Sequence, residues 1–134
     1  MIVLDSSFLI AFHNERDSRH AAAALLMERF LAGEWGKGIL LEYVFLEVVT
    51  VLMVRRDVAT AARAGAILLN AQELEFMPCA DFFDTAFEIF SQQSGTRLSL
   101  TDVAIAFMAE AAADGLVLTF DRELSRFSGI RVPD

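Results

Sequence analysis

Residues 1–12 read MIVLDSSFLIAF, and they set the architecture expected of the whole chain. Ile2, Val3 and Leu4 form a short uncharged apolar run. Such a run suits a strand buried on both faces, as in the middle of a parallel sheet. Asp5 ends it, Ser6 and Ser7 follow, and a new apolar segment begins. This is a strand whose carboxyl end delivers a carboxylate, then small polar residues able to cap the next helix. Ligands of open α/β sheets sit outside the carboxyl ends of the strands, so Asp5 is a site candidate. Taken alone, the simpler reading is that Asp5 is a helix N-cap.

The pattern repeats along the chain. Residues 17–31 carry alanines and apolar residues at helical spacing. Gly33, Gly36 and Gly38 break it, and 39–41 read as a second buried strand. The GEWGKG turn lacks the spacing and the hydroxyl residue of a phosphate loop. Residues 42–56 read as a helix apolar nearly all round, and therefore buried. Residues 57–72 form its hairpin partner. Residues 74–77 suit a short strand stopped by Pro78, and 81–93 a phenylalanine-rich helix ended by Gly95. A helix over 99–114 stops at Gly115, and 116–118 copy the first strand. A short helix over 122–127 and a last strand over 130–132 complete the pass. Strands alternating with helices predict an α/β fold with a central parallel sheet flanked by helices. With 134 residues and 55% hydrophobic composition, a single domain over 1–134 is expected.

The formal net charge is −8, which argues against broad electrostatic coating of nucleic acid. It leaves room for a nucleic-acid enzyme, because bound divalent cations invert the local field. It also fits a basic protein partner. Cys79 is the one cysteine, so no intrachain disulfide framework exists. No basic region precedes the first apolar run, and the longest apolar segment, 39–54, carries Glu42 and Glu47. A soluble, cytoplasmic protein is expected, without a membrane span.

The carboxylates carry the chemistry. Glu47 lies mid-helix among Val44, Phe45, Val48 and Val51, with no cation three or four residues away. Burying an unpaired carboxylate is costly, so Glu47 needs a distant arginine, a metal or a water-filled cleft. A structural pair with Arg55, Arg56 or Arg97 is the plain alternative. Asp102 stands three residues after Ser99, a capping-box spacing, and Asp121 ends a strand where it could cap the helix after it. Together Asp5, Glu47, Asp102 and Asp121 occupy places that an α/β fold can bring to one rim. Two carboxylates about 4 Å apart repel by roughly 4 kcal/mol at an effective dielectric near 20, which a hard cation relieves. All-oxygen donors select Mg²⁺ or Mn²⁺. Ser6 and Thr119 suit hydrogen bonds that orient the carboxylates.

At these residues the chain resembles PIN domains, and more narrowly VapC-type toxin ribonucleases. The matching stretches are I-V-L-D-S-S, F-L-E-V-V-T-V-L, L-S-L-T-D-V-A-I-A and L-T-F-D, with Asp17 and His20 before an alanine-rich helix. The resemblance spans nearly the whole chain in order. It implies a three-layer PIN-like sandwich and Mg²⁺- or Mn²⁺-dependent endoribonuclease activity on RNA. It also implies homodimers and a cognate antitoxin that blocks the site with a basic segment. By motif position Asp5, Glu47, Asp102 and Asp121 would be the catalytic, metal-binding quartet, with Glu123 a further candidate. The arginines are too scattered in sequence to mark an RNA-binding face.

Two other readings stand beside it. A non-catalytic PIN-like subunit could use its acidic rim to receive a basic peptide. A phosphatase or response-regulator fold also places Asp after the first strand. The former wants a second Asp where Ser7 stands, and the latter a late lysine, whereas none follows Lys37. His13, His20 and Cys79 form no zinc pattern. The run from Phe82 to Phe90 reads as core.

Overall fold

The computed structural model describes residues 1–134. Four parallel strands, β1 (Ile2–Leu4), β2 (Gly38–Leu41), β3 (Leu74–Met77) and β4 (Val117–Leu118), form one sheet in the order β3-β2-β1-β4. Helices α1 (Ser6–His13) and α2 (His20–Leu31) connect β1 to β2. Helices α3 (Glu42–Arg55) and α4 (Val58–Asn70) connect β2 to β3. Both connections step the same way along the sheet, so right-handed crossovers put all four helices on one face. Helices α5 (Phe83–Ser91) and α6 (Leu100–Ala112) return across the sheet to β4, on the other face. Helix α7 (Arg122–Ser125) follows β4. This is the expected α/β sandwich.

β1 lies between β2 and β4 and is fully buried, as are β2 and β4, whereas β3 is a half-exposed edge. The uncharged runs of the sequence thus map onto the strands covered on both faces. β2 begins one residue earlier than the apolar run suggests. A Cβ at Gly38 would stand 2.7 Å from Leu74 Cδ2 and 2.8 Å from Phe30 Cζ, so glycine is what lets the strand pass under α2. The last predicted strand shrinks to a single bridge between Leu116 and Arg131.

Two expectations about burial fail. Helix α3 is not buried all round. Val44, Val48 and Leu52, one stripe at four-residue spacing, enter the core, but Leu46, Met53 and Val54 are 57%, 46% and 74% exposed. The sheet, α1 and α4 cover part of its circumference, and the exposed residues lie on the rest. The phenylalanines of α5 behave likewise. Phe82 is buried, whereas Phe83, Phe87 and Phe90 are exposed. No helix is long and apolar enough to cross a membrane.

Candidate active site

The strand order reverses between β1 and β4, since the chain leaves β1 toward β2 and comes back to its other side at β4. Side chains following the carboxyl ends of these two strands therefore flank one crevice. Asp5 follows β1, and Thr119 to Asp121 follow β4. A cleft of about 480 Å³ opens there, lined among others by Asp5, Asp17, Glu47, Asp102 and Asp121, with Ser6, Ser7, Arg19 and Arg55. All four carboxylates singled out in the sequence share it.

Asp5 is buried, and its carboxylate does not cap α1 although the residue holds the N-cap position. Its Oδ2 instead accepts from the hydroxyls of Ser7 (2.7 Å) and Thr119 (2.7 Å), and Oδ1 weakly from Ser6 (3.4 Å). Hydroxyl donation keeps a buried carboxylate hydrogen-bonded without a neutralising cation. The network continues. Thr119 Oγ1 accepts from the Asp121 N–H (2.9 Å), and Ser7 Oγ accepts from the Phe120 N–H (2.9 Å). The ends of β1 and β4 are thereby locked together.

Ser7 is the residue that sequence reasoning missed. The sequence points to Ser6 and Thr119 for the orienting role, yet Ser7 makes the shorter bond to Asp5 and Ser6 only the long one. The signal was the doubled serine itself. In a helix starting at Ser6, either hydroxyl is near the strand end, and only the first-turn geometry chooses between them.

Asp121 both caps and lines the cleft. One oxygen accepts from the N–H groups of Glu123 (2.8 Å) and Leu124 (3.2 Å), which leaves the other unused by the cap. Asp102 sits in the first turn of α6, where Ser99 Oγ accepts from its N–H (3.1 Å). Burial, together with the charges of Asp5 and Asp121, pushes the Asp102 carboxyl up to about 6, against hydrogen bonds from Ser99 that pull it down.

Of the resolutions open to Glu47, the structure shows the solvent-filled cleft: its side chain is exposed there, so water solvates it. Partial desolvation and the charge of Asp5 still raise it above the ordinary range, with Asp121 adding and a Ser6 hydrogen bond opposing. No arginine neutralises it. The ion pairs of the protein are Arg29 with Glu34 and Arg131 with Asp114, both elsewhere.

Two other acids do not join the group. Glu123 lines a separate cleft with Arg97 and Arg126. Glu42 accepts the Cys79 N–H (2.9 Å) and ties the start of α3 to the segment after β3. Asp17, by contrast, faces the shared cleft while its Oδ1 accepts the Arg19 N–H (2.8 Å).

The donor set is all oxygen, Asp5 and Asp121 raise the proton affinity of Asp102 and Glu47, and no member is ion-paired with a cation. That chemistry fits a hard divalent ion. As placed, no three acidic, histidine or cysteine side chains lie close enough together to hold one. Mutual repulsion disfavours a tighter grouping of carboxylates without a counter-charge.

The family model for the PIN domain matches residues 2–130. Among solved structures, VapC20 of Mycobacterium tuberculosis, described as a sarcin-ricin loop cleaving toxin, superposes with a TM-score of 0.80 at 24% identity, over 97% of each chain. PAE2754 of Pyrobaculum aerophilum gives 0.58 at 22% identity, over 98% of this chain and 87% of the other. Comparison with curated proteins finds no match.

Proposed function

Because the chain belongs to the PIN-domain family, we propose that it is a Mg²⁺- or Mn²⁺-dependent endoribonuclease, the toxin of a VapBC-type pair. The observation that carries this reading is the meeting of Asp5, Glu47, Asp102 and Asp121 at one cleft without a neutralising cation. The fold shared with VapC20, described as a sarcin-ricin loop cleaving toxin, supports it. A cytoplasmic single-domain protein, a homodimer and a cognate antitoxin with a basic segment belong to the same reading.

Asp5, Asp102, Asp121 and Glu47 would hold the ion. When bound, it supplies a water of lowered pKa and positive charge for the leaving oxygen of the phosphodiester. The protein's own part is positional. Ser7 and Thr119 fix the Asp5 carboxylate, and the α7 cap fixes one oxygen of Asp121. A carboxylate oxygen of this set that the ion leaves free would accept the proton of the attacking water.

The spacing of the carboxylates favours a second reading, because no three of them are gathered for a metal. The cleft would then serve a basic peptide, without catalysis. Incubating purified protein with RNA and Mn²⁺ decides between them. Cleavage that disappears on chelation and in Asp5→Asn supports the nuclease. Intact RNA under all metal conditions, with tight binding of an arginine-rich peptide, overturns it.

A further inference from the structure

A strand of RNA must enter a cleft lined by five carboxylates on a protein of net charge −8. The sequence suggests no basic surface, but the fold brings two cations to this cleft from distant segments. Arg19 comes from the connection before α2, and Arg55 is the last residue of α3. Both are exposed, and neither lies within ion-pair distance of any of the acids around it.

Arg19 is held in place by other means. Its Nη1 donates to the Phe120 carbonyl (3.0 Å), and its guanidinium lies 5.2 Å from the centre of the Phe120 ring. Its own N–H is fixed by Asp17. Phe120 in turn stands against Phe8, with ring centres 6.2 Å apart. Phe120 is also the residue between Thr119 and Asp121, so the arginine is tethered to the segment that orients the site. A guanidinium has five N–H donors, and one of them is used here. A fork fixed by stacking, with donors left over and no carboxylate taken, suits phosphate oxygens.

Resting on the nuclease reading above, we propose that Arg19, together with Arg55, is the phosphate-binding element of this cleft, gripping RNA backbone phosphates beside the one that is cleaved. Both are positioning residues, acting on substrate placement.

The test measures anisotropy of a fluorescein-labelled random-sequence single-stranded RNA in Ca²⁺ buffer across a salt series. Arg19→Ala and Arg55→Ala are each expected to weaken binding by about tenfold or more. Each should also reduce the slope of log affinity against log salt by about 0.7, one single-strand phosphate contact. Arg19→Lys keeps the charge but loses the planar stacking, and should fall between wild type and Arg19→Ala. Arg63→Ala, which removes an exposed charge of α4 that lines a different cleft, controls for net charge and should leave the slope unchanged. Wild-type urea midpoints in the variants exclude misfolding. Unchanged affinity and slope in Arg19→Ala and Arg55→Ala, an equal loss in Arg63→Ala, or no RNA binding by wild type overturns the proposal. Mn²⁺-dependent cleavage of the same RNA separates the two claims. If wild type binds through these arginines without cleaving, the nuclease reading falls and the phosphate grip stands. If the variants bind and cleave as wild type does, the reverse holds.

Discussion

Asp102→Asn should stabilise the metal-free protein while it removes cleavage. The Asp102 carboxyl is raised from 3.8 to about 6 by burial and by Asp5 and Asp121. The native state therefore binds a proton more tightly than the unfolded chain. Stability is undiminished below the unfolded value near 4, falls as pH rises through about 6, and stays lower above it. A shift of about 2 units at 1.36 kcal/mol each sets a ceiling of roughly 3 kcal/mol. Asp102 is partly open to solvent, so screening reduces this to about 1–2 kcal/mol. Asparagine keeps the backbone N–H that Ser99 Oγ accepts, but it loses a negative charge in the first turn of α6, worth roughly 0.3–1 kcal/mol. The net expectation at pH 7 is a gain of about 1 kcal/mol, or about 3–5 °C in Tm for a domain of this size. Urea unfolding in EDTA, at several pH values from 4 to 8, reads it. The gap between variant and wild type should close toward pH 4. Adding Mn²⁺ should stabilise wild type and close the gap from the other side, since the ion binds only the folded carboxylates. A variant less stable than wild type at pH 7 without metal, or a gap that does not change with pH, refutes the account of mutual carboxylate repulsion.

Thr119→Val removes the 2.7 Å donor to Asp5 and the acceptor of the Asp121 N–H. Loss of orientation should lower cleavage by about 10–100-fold, and stability should drop by about 1–3 kcal/mol for the groups left unpaired; rate assays alongside urea unfolding separate the two. Gly115→Ala forces a Cβ to 2.1 Å from the Gly129 carbonyl oxygen at a φ of +82°. It should cost about 3 kcal/mol or more, visible as a lowered thermal midpoint by circular dichroism.

The sequence by itself determined the four strands of the sheet, but not the loss of the one it suggests over 130–132. An uncharged run such as Ile2 to Leu4 has only one low-energy placement in a domain of this size, covered on both faces, and the positions of Asp5 and Asp121 at strand ends follow from counting. The capping of α6 by Ser99 was legible for the same reason, because it depends on residues three apart. Local pattern could not say how much of a helix its neighbours cover. The apolar residues around Glu47 point to an α3 buried all round, yet coverage depends on what packs from elsewhere in the chain. Nor could it choose Ser7 over Ser6 as the main partner of Asp5, or bring Arg19 onto Phe120 across 101 residues. Those outcomes follow from chain reversal between β1 and β4. Hydrogen bonds and charges act over a few ångströms in space, and only the folded sheet brings the ends of the chain within that range.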